Sequence, residues 1–277
     1  MTPAELAIEQ LHIVRENGSP RIVAKSEGVV FAWEDAALQQ SVRFGSQPAD
    51  VPCPEALYAL PLIADRVVVV QVAEGERHLD FHFLILSRTL YAALGDPFAI
   101  AARYPMNENV RGSLPQLIWP MEPLPPRQVL KLHELYKAGD IPLLLGCTQA
   151  LVDGCKILVK RPEPSRELVR TLWQFLPDRS RAELWPCTFA FSAELGFDIA
   201  VLPALPERLP TRYLSESQVL DYPAGRYELA LQIAIENKNQ PELTQLLARR
   251  SSSDTLRLAL IMVAIAGAIA IINRLFL

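Results

Sequence analysis

Apolar residues recur along this chain at two spacings, and the changes of spacing divide it into elements. From Ala4 to Val14 they stand at helical intervals, closed by the turn pair Asn17-Gly18, which predicts an opening helix. RIVAKS (residues 21–26) and GVVFAW (28–33) read as a pair of strands turning at Glu27-Gly28. VVVVQVA (67–73) is a β-branched run, and HLDFHFLILS (78–87) follows it across a short Glu-Gly-Glu turn, so the two predict a hairpin. After TLYAALGDPFAIA the chain becomes punctuated by proline, in YPMNENVRGSLPQLIWPMEPLPP, and this stretch reads as a linker ending near Pro126.

A second unit starts at Arg127. RQVLKLHELYKAG spaces Val129, Leu132 and Leu135 as a helix does and stops at Gly139. PLLLGC and CKILVK read as short strands, ELVRTLWQFLP as a helix opened by Pro164-Ser165-Arg166-Glu167 and stopped by Pro177, and LWPCTFAFS and FDIAVLPAL as further strands. Residues 206–226 look irregular, and YELALQIAIENKNQPELTQLLARR predicts two short helices parted at Pro241. No tandem repeat occurs at a fixed period. The expected class is α+β, a mixed α/β chain. Its predicted divisions are an N-terminal domain over 1–122, a second α/β domain over 127–205, an irregular segment with a helical stalk over 206–250, and a transmembrane segment over 256–277.

That last segment has a pattern of its own. Leu258 to Ile272 is fifteen residues without a charge, amide or hydroxyl, eight of them Leu, Ile or Val. Those eight contribute roughly −2.4 to −4.8 kcal/mol to insertion at the bilayer centre. Fifteen residues span only about 22 Å against a hydrocarbon core of ~30 Å. The flanking Arg257 and Arg274 have stems long enough to reach the interfaces, however, and Leu256, Leu275, Phe276 and Leu277 extend the run. A buried helix of a soluble core would show one apolar stripe, whereas this run is apolar on every side. Arg249, Arg250 and Arg257 precede it and Arg274 alone follows, so the charge bias keeps the N-terminal bulk cytoplasmic. The expectation is a single-pass tail anchor. Ala264 and Ala268, like Ala266 and Ala270, stand four residues apart around Gly267, a spacing that would let two anchors approach as a homodimer.

Composition narrows the classes of function. The net charge of −4, from 27 basic and 31 acidic residues, supplies no basic field for nucleic acid, and none is expected as a partner. Half of the 277 residues are apolar, enough for a sizeable core. Cys53, Cys147, Cys155 and Cys187 form no CxxC pair, and the charged opening does not look like a secretory leader, so four reduced thiols are expected.

The known catalytic motifs are missing. The 12 glycines form neither GxxxxGK[ST] nor GxGxxG, and there is no GxSxG elbow and no HExxH or Cys/His zinc spacing. One constellation carries chemistry: His78, Asp80 and His82 alternate along a predicted strand and so share one face, opposite Leu79, Phe81 and Phe83. Two imidazoles and a carboxylate are a ligand set for a divalent metal, although the wetted face of a hairpin strand would show the same pattern. Asp96-Pro97 reads as a turn or helix start. Trp173, Phe175, Phe189 and Phe191 suggest a groove or, more simply, core packing. Cys187 would act as a nucleophile only beside a base, and His133 is the sole histidine in that half. No catalytic, cofactor-binding or metal-binding residue is therefore assigned.

Two stretches, AEGERHLDFHFLILSRTLYAALGDPFAIAARYP and LYKAGDIPLLLGCTQALVDGCKILVKRPEPSRELVRTLWQFLPDRSRAELWPCTFAF, resemble the N-terminal and middle regions of the GTPase-associated proteins of bacterial conflict systems. In the first, a histidine-bearing strand runs through an aliphatic stretch into a short helix and a "dP" turn. In the second, a helix ending "LP" precedes an arginine-containing turn and a strand of the "sFsT" kind, from which Thr188-Phe189-Ala190-Phe191 departs. The resemblance implies a cytoplasmic adaptor beside a partner NTPase, and it assigns no catalytic residue. The expectation is thus a non-enzymatic, tail-anchored scaffold that presents its two mixed α/β domains to the cytoplasm at a bacterial inner membrane and binds a protein partner. Its rival is a membrane-tethered metal-dependent enzyme using the His78/Asp80/His82 face.

Overall fold

The computed structural model describes residues 5–63, 65–75, 78–107 and 110–248. Its elements begin with β1 (Ala7–Glu16), β2 (Ser19–Ser26), α1 (Phe31–Arg43), β3 (Glu55–Ile63), β4 (Arg66–Glu74) and β5 (His78–Ser87). There follow α2 (Arg88–Leu94), α3 (Pro97–Arg103), β6 (Gly112–Leu114), β7 (Leu117–Ile118), α4 (Val129–Ala138), α5 (Ile141–Val152) and β8 (Lys156–Lys160). The chain continues with α6 (Arg166–Phe175), α7 (Asp178–Glu183), β9 (Pro186–Cys187), β10 (Ile199–Leu202), β11 (Tyr213–Ser215), α8 (Glu216–Leu220), α9 (Arg226–Glu236) and α10 (Gln240–Leu247). The class is mixed α/β. The expected membrane span, residues 256–277, and its Ala/Gly dimer face lie outside the described residues. Among the described residues no helix is long and apolar enough to cross a membrane.

The strands form one sheet in the order β11-β8-β10-β9-β3-β4-β5-β1-β2-β6, with β7 pairing β1 beyond the end of β2. From β3 to β2 the neighbours are antiparallel, and the four strands β9, β10, β8 and β11 run parallel. The two halves meet where Tyr58 of β3 pairs with Cys187 of β9. Thr188 closes that joint twice: its N–H donates to Leu57 O, and its Oγ1 accepts from Leu57 N–H, both at 2.8 Å. A second joint lies at the α2–α3 corner. Trp173 Nε1 donates to Gly95 O at 2.9 Å, and buried Arg181 donates to Asp96 Oδ2 at 2.6 Å. Buried apolar residues from both halves, and from α9 and α10, belong to one contiguous core.

The hairpin of β4 and β5, the helices α4 and α6, the strand β8, and the pair α9 and α10 parted near Pro241 match the sequence reading. Five segments do not. Residues 7–16 form strand β1, not a helix. Both faces of β1 are covered, so Ile8 through Arg15 are all buried and the apolar spacing no longer reports the backbone period. Arg15 belongs to the face under α1, where its guanidinium donates to Ser41 O and, at 2.6 Å, to Gly45 O, satisfying carbonyls at the end of that helix. The GVVFAW stretch, expected as a strand, instead runs into α1. PLLLGC, also expected as a strand, lies in α5, whose Asp140 side chain accepts from Leu143 N–H and which is buried on every side from Leu143 to Leu151. In LWPCTFAFS only Pro186–Cys187 pair as a strand, and the region read as irregular includes β11 and α8.

Candidate functional site

A row of polar side chains crosses the antiparallel half. β1 and β5 place His12 opposite His82, and β4 places Gln71 opposite His82, so three polar residues stand in line across three strands. Strand alternation puts Gln10, on β1, on the same face. Tyr104, Met106 and Pro115 bond to this face, His82 is 3% exposed, and the wetted strand face read from the sequence is a dry one there.

Directed hydrogen bonds hold that cover. Met106 N–H donates to Gln71 Oε1 at 3.1 Å, and Gln71 Nε2 donates to Tyr104 O at 2.7 Å while lying 3.4 Å from His82 Nδ1. His82 Nε2 is 3.0 Å from Gln10 Oε1, and Gln10 Nε2 donates to Pro115 O at 2.7 Å. Both glutamine amides are oriented by backbone partners, so Gln71 presents N–H to the ring and Gln10 presents oxygen. Only neutral His82 with its proton on Nε2 completes the chain; this tautomer is assigned from the network. Burial, reinforced by the adjacent His12, pushes the His82 pKa down to about 3. The two rings are 4.6 Å apart, and burial also lowers the pKa of His12, an effect that Asp80 partly opposes.

Beyond this network the same face opens into a cavity of about 100 Å³, lined by His12, His78, Asp80, Asn107 and Arg111 together with the exposed pair Glu16 and Arg21. Its two carboxylates are engaged: Asp80 with His78 Nε2 at 3.0 Å, Glu16 with Arg21 at 3.1 Å. A larger open groove, about 440 Å³ between α2 and α7, is lined by Arg88, Asp178, Arg179 and Glu183. There Asp178 accepts from Arg127 at 2.5 Å and Glu183 from Arg179 at 3.0 Å.

The geometry does not bring His78, Asp80 and His82 to one point. Residues sharing a strand face repeat roughly every 6.6 Å, which leaves positions 78 and 82 about 13 Å apart along the strand. Both His82 ring nitrogens already face glutamine amides. Among the described residues no group of three or more His, Cys, Asp or Glu side chains is placed to hold a metal. Asp96 caps α3 by accepting from Ala99 N–H at 3.0 Å, as a helix start should, and also receives Arg181. Trp173, Phe175 and Phe189 are buried in the core and Phe191 packs against it. Cys187 donates to Phe189 O at 3.0 Å, and its burial holds the thiol well above the ordinary range; His133 lies on α4. All four cysteines are free, and burial pushes Cys53 and Cys147 up to about 12.

Gln10, His12 and Gln71 are missing from the sequence reading. Their signal was the polar residue inside an apolar run, VVVV-Gln-VA and Leu11-His12-Ile13, which a buried network requires and a wetted face does not. The chain matches no family model, and no curated protein is detectably similar to it.

Proposed function

We propose that this chain is a membrane-anchored, non-enzymatic scaffold whose mixed α/β body faces the cytoplasm and binds a protein partner. The observation that carries the reading is the charge-free run Leu258–Ile272 between Arg257 and Arg274, with the arginine excess on its N-terminal side. The spacing along the chain supports it. Helix α10 ends at Leu247, so ten residues, at most about 35 Å of extended chain, separate the folded body from the run. A body tethered that closely meets partners on the same surface at high effective concentration. The class of partner implied by the family resemblance is an NTPase of a bacterial conflict system.

The test is fractionation of the full chain and of a chain ending at residue 250. The full chain should stay with the membrane pellet through alkaline carbonate, and the shortened one should move to the supernatant. A full chain that appears in the soluble fraction before or after the carbonate step overturns the reading.

A further inference from the structure

The cavity beside the His12–His82 pair has a donor excess that the scaffold reading does not use. Asp80 and Glu16 already face His78 and Arg21, which leaves three uncommitted groups on the lining. His12 is 3% exposed, yet its ring makes no hydrogen bond to the protein among the described residues. Arg111, on the exposed side, has no ion pair among them, and the Asn107 amide makes no side-chain hydrogen bond there. A neutral imidazole has one N–H to give, an amide two, and a guanidinium a planar fork matched to two oxygens. Val14, Val23 and Val110 complete the walls, and apolar walls strengthen a charged hydrogen bond made between them. The volume of about 100 Å³ equals roughly three liquid waters, room for a group of four or five heavy atoms and no more.

The geometry points to a binding site for a small oxyanion, a carboxylate or phosphate group, held between His12 and Arg111 with Asn107 beside it. A cation is the poorer fit, because both carboxylates among the described lining residues are occupied by partners on the same strand or hairpin. The oxyanion is either free in solution or the end of a larger molecule whose remainder lies outside the cavity past Arg111.

The experiment titrates the full chain in detergent with sodium phosphate and, separately, sodium acetate, against sodium chloride at matched ionic strength. It reads thermal midpoint and the ring signals of nitrogen-15-labelled histidine. Saturation by phosphate alone identifies a tetrahedral group, by acetate alone a carboxylate, and by both an oxyanion site without that selectivity; each supports the site when the His12 signals move with the titration. R111Q should weaken the saturating anion by at least tenfold, about 1.4 kcal/mol, while R170Q on the exposed face of α6 leaves it unchanged. The histidine signals come from the native sequence, so the result stands even if H12Q does not fold. No saturable response to either anion by about 50 mM, an equal response to chloride, or full affinity in R111Q overturns the proposal.

Discussion

His82 acts as an uncharged transmitter of hydrogen bonds, and that role sets how the fold responds to acid. Its folded pKa, about 3, lies below the ordinary 6.5. Above pH 6.5 both folded and unfolded chains hold it neutral, and it contributes no pH dependence. As pH falls below 6.5 the unfolded chain takes a proton that the fold refuses, so stability declines by about 1.4 kcal/mol per unit, an accumulated loss of roughly 4 kcal/mol by pH 3. His12, lowered in the same direction, adds to the loss. Urea unfolding measured from pH 7 to pH 4 should show this decline, and H82Q should remove about one proton from the slope. An unchanged slope would show that the imidazole is not held neutral. The residues of this network were visible in the sequence only as polar interruptions. Which amide faces which ring nitrogen depends on Tyr104, Met106 and Pro115, and no spacing along the chain brings those to β1, β4 and β5.

Asp96 does two jobs at the level of elements, and they can be separated. Its Oδ1 caps α3, and its Oδ2 accepts from Arg181 of α7, a pair in which both side chains are largely buried. D96N keeps a capping oxygen but leaves the buried Arg181 guanidinium with only the more distant Asp178 carboxylate, 3.8 Å away, and should cost about 3 kcal/mol. D140N at the start of α5 changes a cap that carries no ion pair, and should cost less than about 1 kcal/mol. Chemical denaturation of the two variants measures the contrast; equal losses would reduce Asp96 to a cap. Elements with one wet face or clear stop signals were legible in the sequence, as in α4, α6, α9 and the β4–β5 hairpin. β1 and α5 were not, because each is buried all round. A helix and a strand surrounded by protein both read as continuous apolar chain, and β1 adds buried Glu9, Gln10 and Arg15, whose partners lie elsewhere.

At the scale of the molecule, the joint between β3 and β9 lies inside the sheet, with Tyr58 and Cys187 fully buried on either side of it. Neither half can open there without exposing the other's core, so the halves should unfold together. Trp33 and Trp119 report on the first half, Trp173 and Trp185 on the second. Single-tryptophan variants of each kind should share one urea midpoint, and two separated transitions would show independent units. The order of apolar and polar residues determined by itself the mixed class, the hairpin, the helices α4, α6, α9 and α10 and the charge-free run after α10, because each depends on neighbours a few residues apart. Tertiary structure alone decided that the strands join in one sheet, that Asp96 finds Arg181, and that a strand face expected to be wet is a buried polar row ending in a cavity. Those outcomes turn on contacts between residues 33 to 131 positions apart, and local periodicity carries no information about what covers a face.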